Sequence, residues 1–239
     1  MNLLLFSNST NAGENYLSWT LPYLKDFISR KNLKKCLFFP YAGVTVTWDD
    51  YTKKVANVFS QFNCEIIGVH TQNNIEETIN QCDAIVVGGG STFRLVQTMQ
   101  DNGSLELIRK KTLEGMPYIG WSAGSNITCP TLCTTNDMPI IEPKSFKTLN
   151  LIPFQINPHY LDANPEGHGG ETREQRILEF LEINQKVTVV GLREATALSL
   201  ENNNLKLIGK RNMRIFKYGT EPMEVDNATD INYLMQLNA

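Results

Sequence analysis

The chain has 239 residues, of which 41% are hydrophobic and 20% are charged, so it is long enough to bury a full hydrophobic core. Its net charge of −3 gives no electrostatic reason to expect a nucleic acid or an anionic membrane as a partner. The five cysteines lack C-x-x-C spacing, which argues against a disulfide framework or a zinc site and favours a reducing cytoplasm. No apolar run is long enough for a signal peptide or a membrane span.

Short apolar runs alternate with amphipathic helical segments over the first half of the chain. The runs at residues 1–6, 36–39, 65–69 and 83–87 have the length of strands that are buried on both faces. The connections between them are too long for hairpins. This half therefore predicts an α/β fold with a mostly parallel sheet and helices on both faces. In such sheets the ligand crevice lies beyond the carboxyl ends of the strands.

The middle of the chain is irregular. Residues 128–170 are rich in proline and poor in periodic apolar residues, a pattern typical of functional or disordered segments. The capping-box sequence at residues 172–175 then predicts the start of a helix that runs to Ile183.

The last third of the chain predicts mainly strands. Residues 187–191 form another buried apolar run, and the alternation over residues 197–216 predicts an antiparallel edge to the sheet. Because no linker or internal repeat is visible, we expect residues 1–239 to form a single α/β domain.

The segment Gly120-Trp121-Ser122-Ala123-Gly124 matches the pattern G-x-S-x-G at the end of an apolar run. Small residues on either side of a serine allow the chain to turn sharply from a strand into a helix, which exposes the serine hydroxyl at the carboxyl edge of the sheet. The pattern therefore predicts that Ser122 is a nucleophile. The alternative is that Ser122 only caps the following helix.

A nucleophilic serine needs a base and an acid that orients the base. Of the three histidines, His159 follows a short apolar run and a proline, which favours it as the base. His168 lies in a glycine-rich loop and is a candidate for substrate contact. Glu194 follows the run at residues 187–191, which is expected in the same sheet as Ser122, so Glu194 should lie at the carboxyl edge beside Ser122, whereas Asp137 lies in a polar stretch. Both remain candidates for the orienting acid.

Two further sites follow from the residues. Backbone N–H groups of Ala123 and of Gly90, in the turn Gly88-Gly89-Gly90, are candidates for an oxyanion hole. Arg173 is a cation at the start of a predicted helix, where it opposes the helix dipole, which hints at an anion-binding role. The glycine turn lacks both G-x-G-x-x-G and a Walker lysine, so a phosphate site is disfavoured.

Seven short motifs follow one another in order along most of the chain, at residues 5–10, 40–45, 87–90, 119–124, 134–140, 156–159 and 170–176. Together they are far more specific than the G-x-S-x-G pattern alone. Through these motifs the chain resembles the peptidase E family of serine peptidases, the α-aspartyl dipeptidases.

The resemblance implies a cytoplasmic serine exopeptidase that hydrolyses Asp-Xaa dipeptides without a metal or other cofactor, on a fold similar to class I glutamine amidotransferases. Ser122 would be the nucleophile and His159 the base, with Glu194 or Asp137 as third member. Arg193 and Ala195 flank Glu194 where the family pattern has proline and glycine. The order Ser, His, Glu along the chain differs from that of α/β-hydrolases.

We therefore expect a monomeric or homodimeric enzyme whose partners are small peptides rather than nucleic acids or membranes. Arg173 is the predicted ligand of the substrate's aspartate side chain, because a guanidinium binds a carboxylate through two parallel hydrogen bonds. Two alternatives remain open: another serine hydrolase, such as an esterase or a cyanophycinase-like peptidase, and a non-catalytic ligand-binding module of the same fold.

Overall fold

The computed structural model describes residues 1–164, 166–167 and 169–237, which form two β-sheets and seven α-helices. The strands are β1 (Asn2–Phe6), β2 (Lys35–Phe39), β3 (Glu65–Gly68), β4 (Ala84–Val87), β5 (Tyr118–Trp121), β6 (Gln155–Tyr160), β7 (Thr188–Arg193), β8 (Thr196–Glu201), β9 (Asn204–Gly209), β10 (Met213–Lys217) and β11 (Met223–Val225). The helices are α1 (Leu21–Arg30), α2 (Trp48–Phe59), α3 (Ile75–Asn80), α4 (Thr92–Asp101), α5 (Ser104–Leu113), α6 (Ala123–Asn126) and α7 (Arg173–Ile183).

The central sheet has seven strands in the order β3-β2-β4-β5-β1-β8-β9. The five strands from the first half of the chain are parallel, and β8 and β9 add an antiparallel edge. The predicted fold class, a mostly parallel sheet with an antiparallel C-terminal edge, is confirmed. Strands β1 and β5 lie side by side near the middle of the sheet, so their carboxyl ends are fixed by pairing on both sides.

Helices cover both faces of the central sheet. Leu3 and Leu5 of β1 point to the face that packs against α4 and α5, whereas Leu4 and Phe6 point to the face that packs against α1 and α2. All four side chains are almost fully buried. Burial on both faces explains why these strands are continuous apolar runs rather than alternating ones.

The second sheet has four strands in the order β11-β10-β7-β6, with β6 and β7 parallel. The sequence predicts residues 187–191 in the same sheet as Ser122 and residues 213–216 in its antiparallel edge, and both predictions are wrong. Apolar residues on one face of the second sheet, such as Val190 and Ile215, belong to the same core as the central sheet. The other face packs under α7. Apolar alternation reports that a strand is buried, but it does not report which sheet the strand joins.

The predicted start of α7 is confirmed. Thr172 accepts a hydrogen bond from the Gln175 backbone N–H at 3.1 Å, and the Gln175 side chain accepts one from the Thr172 backbone N–H at 2.7 Å. This reciprocal arrangement satisfies two N–H groups at the helix start. It also places Arg173 in the first turn of α7.

Across the described ranges, every helix is too short or too polar to cross a bilayer.

The chain turns from β5 into α6 at residues 120–124, here called the elbow. Close approaches of other backbone atoms require glycine at its first and last positions. A Cβ atom on Gly124 would lie 2.2 Å from the carbonyl oxygen of Val87 in β4. One on Gly120 would lie 2.6 Å from the carbonyl oxygen of Gly124. Since the obstructing atoms belong to the backbone, no rotamer change can relieve either contact. The turn that exposes Ser122 is therefore available only with glycine at both positions.

Gly124→Ala should destabilise the fold, because the new Cβ forces β4 and the elbow apart. We expect the free energy of unfolding to fall by roughly 1–3 kcal/mol, the typical cost of overpacking, and the thermal midpoint to fall with it. Gly169→Ala is the matched control, because a Cβ there meets no atom within 4 Å. Equal melting temperatures for the two variants would contradict the packing argument.

Candidate active site

Ser122 stands at the carboxyl end of β5, where the chain turns into α6. Its backbone angles are φ 54° and ψ −115°, a conformation that non-glycine residues rarely adopt. The Ser122 N–H donates to the Phe6 carbonyl oxygen at 3.1 Å, which ties the elbow to the end of β1. The serine is thus held in a strained turn by its neighbouring strand.

His159 reaches Ser122 from the second sheet. Its Nε2 atom lies 2.9 Å from Ser122 Oγ. The pairing of β6 with β7 shifts register between Pro158 and Tyr160, and His159 itself has φ 53°. The irregularity re-aims the histidine side chain away from the strand's alternation. Asn136 supports this segment by donating to the Pro158 carbonyl oxygen at 2.6 Å.

The two candidate acids occupy different places. Glu194 directly follows β7, and its Oε1 lies 2.8 Å from His159 Nδ1. Asp137 instead accepts a hydrogen bond from the Thr92 backbone N–H at 2.6 Å, at the start of α4. The structure therefore brings Glu194 to the imidazole and leaves Asp137 at the edge of the glycine turn.

Backbone strain is concentrated at this site. Among the described residues, nine that are not glycine have positive φ, and five of these are asparagines, which tolerate the left-handed region. Of the remaining four, Ser122 and His159 are in contact with each other, and Ala195 directly follows Glu194. Strained backbone persists where the surrounding structure fixes it, and such positions cluster at functional sites.

The glycine turn after β4 packs directly against Ser122. A Cβ on Gly89 would lie 2.9 Å from the Ser122 Cβ, and Gly90 has φ 135°. Within the described part of the chain, the backbone N–H groups of Gly90 and Ala123 donate no hydrogen bond. These two N–H groups are therefore available to a ligand next to the serine hydroxyl.

Tyr51 supports the glycine turn, a role that the sequence did not indicate. Its hydroxyl donates to the Gly89 carbonyl oxygen at 3.0 Å and accepts from Trp121 Nε1 at 3.1 Å. Burial raises the pKa of the Tyr51 phenol, so it remains a donor at neutral pH. The periodic apolar residues around Tyr51 indicate only the buried face of a helix, because periodicity cannot distinguish a packed ring from one whose hydroxyl is used.

Arg173 lines a small cavity of about 160 Å³ together with Asp137, Asn157 and Arg176. Burial lowers the pKa of Arg173, and the neighbouring Arg176 lowers it further, while the charge of Asp137 opposes both effects. Among the described residues, Arg173 has no ion-pair partner within 4.0 Å. The cavity thus contains two guanidinium groups near one carboxylate, an environment suited to a small anionic group.

Two other expectations concern histidine and metal binding. His168 lies outside the described residues, so its predicted contact with substrate remains a prediction. In the described ranges, no three His, Cys, Asp or Glu side chains come together in a way that could hold a metal ion.

The sequence of the chain matches one family of known proteins. The model of peptidase family S51 matches residues 3–208. Peptidase E of Nostoc sp. (strain PCC 7120) is 47% identical over 234 residues, which cover 98% of this chain and 96% of that protein. Peptidase E of Escherichia coli O6:K15:H31 (strain 536) is 42% identical over 226 residues, covering 95% and 98%.

Solved structures support the fold. The crystal structure of a peptidase from an acI-B1 actinobacterium superposes with a TM-score of 0.70 at 15% identity and covers 96% of both chains. At this identity the likeness concerns the architecture alone. The family model, in contrast, extends over the elbow, the strand of His159 and Glu194. The chain therefore belongs to peptidase family S51, and, as its motifs implied, it is a serine dipeptidase of that family.

Proposed function

We propose that this dipeptidase hydrolyses Asp-Xaa dipeptides through an acyl-enzyme on Ser122, with His159 as general base and Glu194 as its orienting acid. The observation that carries the proposal is the continuous chain of contacts from Ser122 Oγ through His159 to Glu194, at 2.9 and 2.8 Å. These are the distances at which a base can take a proton from a hydroxyl. The relatives named peptidase E support the peptidase activity.

The reaction follows from these contacts. His159 Nε2 takes the proton of Ser122 Oγ as that oxygen attacks the peptide carbonyl carbon, and the Gly90 and Ala123 N–H groups stabilise the resulting oxyanion. The protonated imidazole, held by Glu194, gives the proton to the leaving amine, and the peptide C–N bond breaks. Water, activated by the same histidine, then attacks the ester and releases aspartate. No step requires a metal.

Specificity for N-terminal aspartate is assigned to the cavity beside the His159 strand. Arg173, without an ion-pair partner among the described residues, would bind the substrate's side-chain carboxylate in a bidentate fashion. Asp137 faces the same cavity, and its carboxylate would bind the free α-amine. In an N-terminal aspartate the amine and the side-chain carboxylate are close neighbours. One cavity with adjacent opposite charges can therefore recognise both groups.

Location and partners complete the proposal. The five cysteines are free, including Cys36 and Cys64, whose sulfur atoms share a hydrogen bond at 3.3 Å and form no disulfide. This favours a reducing cytoplasm, as does the resemblance to peptidase E. The proposed partner is a small peptide, with neither nucleic acid nor membrane involved, and the active form is a monomer or homodimer.

Ser122→Ala tests the nucleophile. We expect kcat for Asp-Leu to fall by roughly 10⁴-fold or more, because no other group can form the acyl-enzyme. A fluorophosphonate probe should label the wild type and not the variant. Ser199→Ala in β8 is the control for loss of a serine, and its activity should be unchanged. Retained hydrolysis in Ser122→Ala would refute the mechanism.

A panel of dipeptides and esters on the same proteins tests the substrate class. It separates a dipeptidase from an esterase or a cyanophycinase-like enzyme.

Glu194→Gln and Asp137→Asn separate the two acids. The first keeps the shape but removes the charge that orients and stabilises the imidazolium, so kcat should fall by roughly 10²–10⁴-fold with little change in KM. The second removes the charge proposed to bind the amine, so KM should rise. Wild type should also discriminate strongly against N-acetyl-Asp-Leu, and Asp137→Asn should lose most of this discrimination. The opposite pattern of kcat and KM effects would exchange the two roles.

Arg173→Met tests the side-chain assignment. The kcat/KM for Asp-Leu should fall by roughly 10²-fold or more, while that for Asn-Leu should change by less than about fivefold, because a polar site discriminates most where it pairs a specific group. Arg176→Met is the matched control, since Arg176 lines the same cavity but is also 3.7 Å from Glu171. Preference for aspartate that survives in Arg173→Met would reassign the recognition to another residue.

A further inference from the structure

The last residue of β1 and the two residues that follow it each accept a backbone N–H hydrogen bond from a segment that carries one residue of the proposed triad. The Phe6 carbonyl oxygen accepts from the Ser122 N–H at 3.1 Å. Ser7 Oγ accepts from the His159 N–H at 2.9 Å. Asn8 Oδ1 accepts from the N–H of Ala195, the residue after Glu194, at 3.0 Å. One short stretch of chain thus contacts the backbone at or beside the nucleophile, the base and the acid.

The polar groups of Ser7 and Asn8 are fixed in direction by further hydrogen bonds. Ser7 Oγ donates its proton to the Leu192 carbonyl oxygen at 2.7 Å, which leaves its lone pairs free to accept from His159. The Asn8 amide nitrogen donates to the Thr10 carbonyl oxygen at 2.9 Å, which leaves Oδ1 directed at Ala195. Both side chains are fully buried, with 0% exposure. A buried hydrogen bond of this kind is costly to lose, because its partners are left unsatisfied.

These bonds act where the backbone is strained. His159 has φ 53° and Ala195 has φ 62°, a region that residues other than glycine adopt uncommonly. Without an acceptor for its N–H group, each segment could relax to an ordinary conformation. Relaxation would swing the imidazole or the carboxylate away from the serine. Displacements of about 1 Å in such a group can reduce the rate roughly 10²-fold.

The same residues connect the two sheets. β1 belongs to the central sheet and pairs directly with β5, which carries Ser122. His159 and Glu194 extend from β6 and β7 of the second sheet. Ser7 bonds both of those strands at their carboxyl ends, through the His159 N–H and the Leu192 carbonyl. The end of β1 therefore sets the distance between the serine and the imidazole.

We propose that Ser7 and Asn8 are positioning residues for catalysis, an inference that rests on the proposed roles of Ser122, His159 and Glu194. They touch neither substrate nor reacting atoms. They fix the backbone from which the base and the acid project. Their removal should therefore lower kcat while substrate binding in the Arg173 cavity is preserved.

The kinetic test uses Ser7→Ala, the near-isosteric Ser7→Cys, and Asn8→Ala with Asp-Leu as substrate. We expect kcat to fall by roughly 10–100-fold, the usual effect of losing a group that orients an active-site residue, with KM within about threefold of wild type. Thr20→Val is the matched control, because Thr20 is fully buried and donates to the Leu17 carbonyl at 2.7 Å away from these contacts. It should lose thermal stability but keep its kcat. If Ser7→Ala does not fold, Ser7→Cys and Asn8→Ala carry the test.

A spectroscopic readout separates positioning from general stability. The proton between His159 Nδ1 and Glu194 should give a low-field NMR resonance that is absent in His159→Ala. It should persist in Ser122→Ala and Thr20→Val, and it should shift or broaden in Ser7→Cys and Asn8→Ala. Folded Ser7 and Asn8 variants with wild-type kcat and an unchanged resonance would overturn the positioning role. An active Ser122→Ala would instead overturn the proposed function, so the two failures are distinguishable.

Discussion

The contact between His159 and Ser122 is the constraint on which the rest of the site depends, because it joins two separate sheets. Ser122 lies at the end of β5 in the central sheet, and His159 lies at a register shift in β6 of the second sheet. Neither sheet holds a complete site. The apolar core that the two sheets share holds them against each other. Hydrogen bonds from the residues at and after the end of β1 then fix the positions of the His159 and Glu194 segments. Packing gives little angular precision on its own, whereas buried hydrogen bonds specify one arrangement.

The sequence predicts those features that local chemistry determines. The elbow at Ser122 needs glycine on both sides because backbone atoms approach too closely for a Cβ, and that requirement is visible in five residues. The capping box at Thr172 is likewise local. The second sheet is not predictable in this way. The apolar run of β7 would suit a position in either sheet, and only the pairing with β6, more than 25 residues earlier, decides between them. The choice between Glu194 and Asp137 depends on the same long-range pairing, and the sequence therefore left it open.

Arg193 and Ala195 flank Glu194 and stabilise its turn through contacts with neighbouring residues. Ala195 occupies a position with φ 62° where the family pattern has glycine, at a backbone cost of roughly 1 kcal/mol or more. Its N–H bonds Asn8, and its carbonyl accepts from Lys210 N–H at 3.0 Å, so both sides of the strained residue are held. Arg193 stands where the pattern has proline. It is paired with Asp162 and with Glu224 of β11, and this pairing lowers the pKa of Asp162. Two ion pairs thus restrain a segment that a proline ring would stiffen.

If the cavity lined by Arg173, Arg176 and Asp137 binds the substrate side chain as proposed, its charges favour aspartate over neutral side chains. Burial disfavours the charged form of Arg173, and Arg176 adds repulsion that the charge of Asp137 offsets only in part. A guanidinium nevertheless remains protonated at neutral pH, so the free enzyme holds an under-compensated cation. A substrate carboxylate supplies the missing countercharge, whereas a neutral side chain would displace water and supply none. Under the proposed specificity, the discrimination would arise because Arg173 lacks a full countercharge until a substrate carboxylate supplies it.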